Sequence, residues 1–223
     1  MHATAIVPIK RFGAAKSRLG DAVSVDARRE LAGAMLADVL AALERCDRME
    51  RVIVVSGEPA ARGAARAAAV EWLDDPDDSG HPEAAMIGVR SALAAGDGCV
   101  ALLPGDCPLL RADELDGAIK SMHAGVAGVA PDRNGSGTNG LLLAPPDAIR
   151  PAFGPGSRKR HLELARRSGV EPRVVEIPSL ALDLDTPEDL AELRRVLEED
   201  PAQAPTTAAV LSGIGAAAPE TKR

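Results

Sequence analysis

The sequence predicts an α/β fold in which helices cover both faces of a mostly parallel sheet, giving three layers. Short apolar runs alternate along the chain with segments of helical periodicity, which is the pattern of βα units. Several of these runs, such as residues 51–56 and 99–103, are almost continuously apolar. Such runs are typical of strands that are buried on both faces of a sheet. We find no internal repeat in the chain.

The first half of the chain predicts four strands with helices between them. Residues 5–8 form a short apolar strand, and a loop rich in Lys, Arg and Gly follows as far as residue 20. A helix is expected over residues 26–45, because its apolar positions repeat at helical spacing: Leu31, Met35, Leu36, Val39, Leu40 and Leu43. The other expected elements of this half are strands at 51–56, 70–73 and 99–103, helices at 59–69 and 82–95, and an acidic loop at 74–80.

The second half predicts helices at residues 112–123 and 157–168, and strands at 126–130, 140–144 and 173–177. We therefore expect a single domain over residues 1–199. From residue 200 onward Ala, Pro, Thr and Gly predominate, and large apolar side chains are few. Because such a segment buries too little apolar surface to offset its loss of conformational entropy, residues 200–223 are predicted to be a disordered tail.

The composition excludes several classes of function. With a formal net charge of −7, the chain lacks the broad basic surface on which nucleic-acid binding depends. Two Phe, one Trp and no Tyr leave too few rings for base stacking. No apolar run reaches the length of a membrane span, and the N-terminal segment is too short for a signal peptide. The three cysteines form no CxxC pair, so we expect reduced thiols, a cytoplasmic location and no zinc site.

Asp106 follows the most informative strand of the chain. The apolar run at residues 100–103 stops at Pro104 and Gly105, which places Asp106 on a turn at the strand's carboxyl end. In open α/β sheets, ligands collect outside the carboxyl ends of such strands. A carboxylate there is suited to hold magnesium (Mg2+) against a nucleotide phosphate. The alternative is an ordinary strand-ending turn with a solvated aspartate.

A basic loop follows the first predicted strand. It places four cations around Gly13, namely Lys10, Arg11, Lys16 and Arg18. A flexible backbone with several cations suits a triphosphate, because backbone N–H groups approach the oxygens while side chains neutralise charge. The loop is neither a Walker A motif nor a GxGxxG dinucleotide fingerprint. The alternative is a solvated basic loop.

A second pair of carboxylates lies near the C-terminal end of the predicted domain. Asp183 and Asp185 are two residues apart in an extended segment, so both side chains point to one face. Helix capping explains the residues that follow, from Thr186 to Asp189, but it does not explain this pair. Two like charges on one face repel each other unless a cation binds. Together with Asp106, they could share one magnesium ion.

Two further glycine-rich segments contain polar groups. Residues 132–140 combine glycines with hydroxyl and amide side chains, and the alternative there is a simple hairpin loop. Ser157 stands where a helix begins, and its free N–H groups, backed by Arg158, Lys159 and Arg160, suggest a second anion site. A capped helix with an exposed basic turn is the alternative. Two anion sites with a metal site between them indicate a transferase that joins two phosphate-bearing molecules.

These motifs together resemble those of the CofC/FbiD family of guanylyltransferases, which act in the biosynthesis of coenzyme F-420. The resemblance covers residues 3–198 and rests on five motifs in order: Pro8-Ile-Lys with Lys16-Ser-Arg-Leu, Pro104-Gly-Asp-Cys-Pro, Asp132-Arg with Gly137-Thr-Asn-Gly, Phe153-Gly-Pro-Gly-Ser and Asp183-Leu-Asp-Thr-Pro. It implies a single nucleotidyltransferase domain of the GT-A, Rossmann-like type. It also implies GTP as donor, magnesium as cofactor and a small phosphorylated three-carbon acid as acceptor.

The resemblance also implies roles for individual residues. Thr138, Gly154 and Ser157 are expected to bind the acceptor, and Asp106 with Asp183, Asp185 or both is expected to hold magnesium. Lys10, Lys16 and Arg18 are expected along the GTP phosphates, with Lys16, Arg18 and Asp106 acting in catalysis. One departure concerns the helix entry near the guanine, where relatives often have a Gly-Leu-Asn sequence and this chain has Gly80-His-Pro-Glu. Recognition of the base is therefore less well supported than the phosphate chemistry.

Three other functions remain open at this point. A molybdopterin or sugar-phosphate nucleotidyltransferase shares the fold, but usually has a Gly-Gly-rich loop ending in Arg-Met-Gly, which differs from residues 12–19 here. A GT-A glycosyltransferase would not need a phosphate site at Ser157, and a non-catalytic nucleotide-binding module would release no pyrophosphate. Phosphoenolpyruvate, 2-phospho-L-lactate and 3-phosphoglycerate are not distinguished by the sequence, and phosphoenolpyruvate is our first choice by analogy. The oligomeric state also stays open, a homodimer included.

Overall fold

A computed structural model of the protein describes residues 1–12 and 23–216. Its strands are β1 (Ala3–Ile9), β2 (Met49–Ser56), β3 (Glu71–Asp74), β4 (Val100–Leu102), β5 (Val126–Pro131), β6 (Thr138–Ala144) and β7 (Glu171–Val174). Its α-helices are α1 (Val25–Glu44), α2 (Pro59–Ala67), α3 (His81–Ala95), α4 (Ala112–Lys120), α5 (Ser157–Arg167), α6 (Pro187–Glu199) and α7 (Pro205–Ala216). No helix in this part of the chain is both long and apolar enough to cross a membrane.

The seven strands form one sheet in the order β3-β2-β1-β4-β6-β5-β7. All pairs are parallel except those of β6, which runs antiparallel to both β4 and β5. The reason is local, because β5 and β6 are joined by a hairpin loop too short for a parallel crossover. The predicted α/β fold with a mostly parallel sheet is therefore confirmed, with one reversed strand.

Two apolar cores lie on opposite faces of this sheet. Along β1, Ala5 and Val7 join the core that contains α1, α4 and α6, whereas Ile6 joins the core that contains α3 and α5. All three side chains are fully buried. This two-sided burial explains why the central strands are continuously apolar rather than alternating. It also gives the predicted three layers of helix, sheet and helix.

The order of the strands creates a crevice beside β1. The chain proceeds outward from β1 through β2 to β3, and then returns to place β4 on the other side of β1. The segments that leave the carboxyl ends of β1 and β4 therefore head in opposite directions. Such a switch point is where open α/β sheets bind their ligands.

The last predicted strand is displaced in the structure. We expected a strand at residues 173–177, whereas β7 spans Glu171–Val174. Val175 and Ile177 are nevertheless buried, so their apolar character reflects packing against the core after the strand has ended. Burial alone therefore made this segment resemble a strand.

The prediction of a disordered tail over residues 200–223 is wrong for residues 200–216, and residues 217–223 lie outside the described part. Residues 205–216 form α7, which packs on α1, and Ala204 and Leu211 are buried in the same core as the sheet. The carboxylate of Asp38, itself buried on α1, accepts the backbone N–H groups of Thr206 and Thr207 at 3.1 and 2.7 Å. A cap supplied by a distant helix cannot be read from the tail's composition.

Replacing Asp38 by alanine should destabilise the protein by about 2 kcal/mol, because two N–H groups at the start of α7 lose a charged acceptor. The measurement is the free energy of unfolding in urea. Glu30→Ala is the matched control, since Glu30 is exposed on the same helix. Equal stability of the two variants would contradict the capping role of Asp38.

Candidate active site

A cavity of about 660 Å³ opens at the carboxyl ends of β1 and β4, at the switch point of the sheet. Its size is in the usual range for small-molecule sites. Its walls come from the end of β1, from α1, from the start of α3, from the turn after β4 and from three later segments. The polar side chains among its lining residues are Lys10, His81, Asp106, Thr138, Asn139, Asp183 and Asp185.

Asp106 reaches the cavity because the turn after β4 packs closely against β1. A Cβ atom at Gly105 would collide with the side chain of Ile9 and come within 3.3 Å of Leu36 Cδ1. Glycine therefore lets this turn pack against β1 and α1 at the end of the central strand. The sequence prediction that a Gly turn places Asp106 at this edge agrees with where the structure puts it.

Asp183 and Asp185 line the same cavity from a different segment. Leu184 between them is 1% exposed and joins the core, so the two flanking carboxylates point away from it. The backbone N–H of Leu184 donates to the carbonyl oxygen of Asp106 at 3.3 Å. This bond ties together the two segments that carry the three carboxylates, 77 to 79 residues apart in the chain.

The three carboxylates influence one another electrostatically. Burial raises the pKa of Asp183, and the neighbouring charges of Asp106 and Asp185 raise it further. The amide of Asn139 acts against this rise by donating to Asp183 Oδ1 at 3.2 Å. Negative charge at this point of the cavity is therefore unfavourable unless a cation balances it.

The donor set fits magnesium bound together with a phosphate. Within residues 1–12 and 23–216, no group of three or more His, Cys, Asp or Glu side chains is arranged as a preformed metal cage. Magnesium seldom needs one, because it is usually held by one or two carboxylates, water and the phosphate oxygens of a substrate. Carboxylates of Asp106, Asp183 and Asp185 along one cavity are hard oxygen donors of that kind.

The basic loop is described only at its beginning. Lys10 lines the cavity, whereas the Arg11 guanidinium turns away and donates to the carbonyl oxygen of Pro76 at 3.1 Å. Phe12 is buried, and its N–H donates to Glu58 at 2.8 Å. These contacts fix where the loop leaves β1. Two predicted site residues, Lys16 and Arg18, lie outside the described residues.

Thr138 and Gly154 lie together in the cavity wall, and Ser157 lies next to them without lining it. The Ser157 side chain is 1% exposed, and its hydroxyl has no hydrogen-bond partner among the described residues. A buried hydroxyl group without a partner costs stability, and Ser157 does not line the cavity in this structure. The structure thus places all three predicted acceptor residues in one region.

The predicted anion site at the start of α5 needs a correction. The N–H groups of Ser157 and Arg158 are not free, since they donate to the carbonyl oxygens of Gly154 and Ser136 at 3.0 and 3.2 Å. The guanidinium of Arg160 holds the carbonyl oxygens of residues 152, 153 and 155, and that of Arg158 holds the carbonyl of Gly135. Arg158 and Arg160 therefore shape the two neighbouring loops, whereas Lys159 is exposed and pairs with Glu163 of the same helix at 4.0 Å.

No role was predicted from the sequence for the two histidines of this site, although the sequence placed His81 at a helix entry. His81 begins α3, lines the cavity and packs edge-to-face on Phe153, with ring centroids 4.7 Å apart. Phe153 packs in the same way on the fully buried His161, at 5.2 Å. Burial lowers the pKa of each histidine to about 4, so both rings are neutral at pH 7. The negative charge of Asp106 acts in the opposite direction and raises the pKa of His81. A signal existed only for His161, which is four residues after Ser157 and so on the same side of α5.

An ion pair joins the acceptor region to the carboxylates. Arg133, in the hairpin loop before Thr138, meets the buried Asp189 at 2.6 Å. The other oxygen of Asp189 accepts the N–H groups of Asp185 and Thr186 at 3.1 and 2.7 Å. The capping box at Thr186, expected from the sequence, is present. Asp189 therefore caps α6 and fixes the hairpin loop at the same time.

Replacing Asp183 by asparagine should stabilise the metal-free protein at pH 7. A raised pKa means that the ionised carboxylate costs stability in the folded state, and Asn removes that charge while keeping an oxygen for Asn139. The measurement is Tm with a chelator present. Each kcal/mol of added stability corresponds to an increase of about 2–4 °C. The difference from the wild type should shrink as the pH falls and Asp183 protonates. A lower Tm of the variant at pH 7 would contradict this account.

Known proteins share this sequence and this fold. The family model described as guanylyl transferase CofC-like matches residues 3–200. A phosphoenolpyruvate guanylyltransferase from Conexibacter woesei is 42% identical over 199 residues, covering 88% of this chain and 89% of that protein. Proteins with the same name from Sphaerobacter thermophilus and Rubrobacter xylanophilus are 39% and 42% identical over 194 residues. Both alignments cover 86% of this chain, and they cover 93% of the Sphaerobacter protein and 94% of the Rubrobacter protein.

Solved structures with this fold include nucleotidyl-transferring enzymes. A protein from Desulfovibrio desulfuricans G20 named as a nucleotide-diphospho-sugar transferase superposes with a TM-score of 0.75 at 20% identity, covering 97% of this chain and 96% of its own. A 4-diphosphocytidyl-2C-methyl-D-erythritol synthase from Anaerococcus prevotii gives 0.63 at 11% identity, covering 88% and 96%. These likenesses concern the fold, whereas the family model and the sequence relatives span the site as well. The chain belongs to the CofC-like family of guanylyl transferases and is a nucleotidyltransferase.

Proposed function

We propose that this enzyme transfers GMP from GTP to the phosphate of phosphoenolpyruvate, with release of pyrophosphate, in the biosynthesis of coenzyme F-420. The observation that carries the proposal is that one cavity is lined by three carboxylates together with Lys10, Thr138 and Gly154. The family membership and the names of the relatives support the reaction and the acceptor. The reaction takes place in the cytoplasm, where the three buried free thiols stay reduced.

GTP is assigned to the half of the cavity beside β1. Lys10 stands there, at the point where the basic loop leaves the strand, and Lys16 and Arg18 of the same loop are proposed along the phosphates. His81 and Gly80 form the wall at the start of α3. Because His81 is neutral at pH 7, it adds no charge to the pocket and is suited to contact the base or the ribose rather than a phosphate.

The acceptor is assigned to the opposite half. Thr138 offers a hydroxyl group to the cavity, and Gly154, with φ of +106°, brings backbone close to it without a side chain. Ser157 donates its backbone N–H to the carbonyl oxygen of Gly154 at 3.0 Å, and its buried hydroxyl has no partner among the described residues. Small residues and hydroxyl groups fit a compact acid whose oxygens all accept hydrogen bonds.

Magnesium is proposed at Asp106, Asp183 and Asp185, where it would neutralise phosphate charge and bring the two anionic substrates together. The chain's own contribution is to hold these three carboxylates on one wall through the Leu184–Asp106 backbone bond and the Asn139 amide. The raised pKa of Asp183 is consistent with a site that gains stability when a cation binds.

The chemistry is an in-line displacement at phosphorus. An oxygen of the acceptor phosphate forms a bond to the α-phosphorus of GTP, the bond from that phosphorus to the β-phosphate oxygen breaks, and pyrophosphate leaves with the electron pair. The attacking oxygen is already ionised at neutral pH, so no general base is required. Catalysis then depends on orientation and charge neutralisation, which is what this cavity supplies.

The wild-type enzyme should release pyrophosphate from GTP in the presence of phosphoenolpyruvate and magnesium. Pyrophosphate is measured against parallel reactions with 2-phospho-L-lactate or 3-phosphoglycerate as acceptor, and with ATP or CTP as donor. The expected result is the highest kcat/KM for GTP with phosphoenolpyruvate. GTP binding without pyrophosphate release for any of the three acids would overturn the proposal in favour of a nucleotide-binding module.

Asp106→Asn should lower kcat by roughly 10²- to 10³-fold, as expected when a charged contact that stabilises the transition state is removed. The fold should persist, since the carbonyl of residue 106 still accepts from Leu184. Asp147→Asn is the matched control, because Asp147 is exposed on a loop and does not line the cavity. Near-normal activity of the Asp106 variant would refute its assignment to magnesium.

A further inference from the structure

His161 has a protein partner at each ring nitrogen, and none of the predicted roles accounts for it. It lies on α5 and is fully buried. Its Nδ1 atom is 3.0 Å from the hydroxyl oxygen of Thr138, and its Nε2 atom is 2.8 Å from the backbone nitrogen of Ala152. The partner at Nε2 is unambiguous in chemistry, because a backbone N–H group can only donate, so the hydrogen positions can be deduced.

The partner at Nε2 decides the tautomer. A backbone N–H can only donate, so Nε2 must accept the hydrogen bond from Ala152 and carries no proton. Since a neutral imidazole has one N–H group, its proton is on Nδ1. His161 Nδ1–H therefore donates to the oxygen of Thr138, and Thr138 is the acceptor of that bond.

This direction determines what Thr138 can do in the cavity. Its hydroxyl oxygen already accepts from His161, and its own proton has no acceptor among the described residues. Thr138 lines the cavity, so that proton is available to a ligand there. A hydroxyl group used in this way prefers a partner with lone pairs and no hydrogen, such as a phosphate or carboxylate oxygen.

The surroundings keep the ring in this state. Phe153 packs edge-to-face against it, and the loop that provides the Ala152 N–H is held by the Arg160 guanidinium, which donates twice to the carbonyl of Ala152 at 3.0 and 2.9 Å. A proton on Nε2 would face the Ala152 N–H, donor against donor. Burial and the nearby charge of Arg160 also lower the pKa of His161 to about 4.

We infer that His161 is a positioning residue that fixes the Thr138 hydroxyl as a hydrogen-bond donor to an anionic oxygen of the acceptor acid. The inference rests on the proposed function, since it takes the ligand at Thr138 to be the phosphorylated acceptor. It adds the direction of the hydrogen bond, in which Thr138 donates and the acceptor acid accepts.

Three variants separate this role from a structural one. His161→Asn can place an amide N–H near the position of Nδ1 and so keeps the donor to Thr138. His161→Gln extends its amide toward Ala152 and loses that donor, and His161→Phe loses both contacts. We expect KM for the acceptor to rise about tenfold or more in the Gln and Phe variants, with KM for GTP unchanged and partial recovery in the Asn variant.

A double-mutant cycle with Thr138→Val tests whether His161 acts through Thr138. In the Val background, adding His161→Phe should leave KM for the acceptor unchanged, because the hydroxyl that His161 orients is already gone. Independent, multiplicative effects of the two substitutions would overturn the inference. The double variant also controls for misfolding. It removes the polar group on both sides of the His161–Thr138 contact, so neither group is left there without a partner.

Competitive inhibitors show whether Thr138 contacts a phosphate oxygen or a carboxylate oxygen of the acceptor. Inorganic phosphate and pyruvate are compared as inhibitors against the acceptor in the wild type and in His161→Gln. Weaker inhibition by phosphate in the variant places the phosphate at Thr138, and weaker inhibition by pyruvate places the carboxylate there. Unchanged inhibition by both would contradict the inference.

Nitrogen-15 NMR of the histidine rings tests the tautomer without any turnover. At pH 7 the His161 signals should show a protonated Nδ1 and an unprotonated Nε2 in the wild type. A ring protonated at Nε2, or at both nitrogens, overturns the inference even if the enzyme is active. If the expected tautomer is found but no acid gives pyrophosphate, the proposed function fails while the orientation of Thr138 stands.

Discussion

The burial of Asp183 beside two further carboxylates, at the switch point of the sheet, is the constraint on which the rest of the site depends. Asp106 follows the central strand, and Asp183 and Asp185 come from a segment that runs past it. Burial raises the pKa of Asp183, and the charges of Asp106 and Asp185 raise it further, so the ionised carboxylate is unfavourable unless a cation binds. The folded chain tolerates this arrangement because two buried cores, rather than the site, supply its stability.

The surrounding hydrogen bonds keep these charges in place and connect them to the acceptor region. Asn139 donates to Asp183 and also to the carbonyl oxygens of Leu180 and Ala181, so it fixes the approach to the acidic segment. It is the direct neighbour of Thr138 on β6. Arg133 provides a second connection through Asp189. The acceptor side and the acidic wall are therefore parts of one rigid network.

Sequence patterns identified the strands, the switch-point aspartate and the acidic pair, because each follows from local rules of burial, turn chemistry and spacing. They could not reveal that β6 pairs with β4, or that α7 is capped by Asp38, since both depend on partners distant in the chain. The roles of the two histidines could not be predicted for a related reason. Spacing places His161 on the same side of α5 as Ser157, but its role comes from Ala152 and Thr138, which meet only in the fold.

Phe153 gives the two ends of the cavity a shared wall. Its ring is in edge-to-face contact with His81 at the proposed nucleotide end and with His161 at the proposed acceptor end. Packed aromatic rings cannot be compressed, so a shift of one histidine must be accommodated by the others. The widths of the two subsites are thereby coupled, and a change that enlarges one for a bulkier compound would alter the fit of the other.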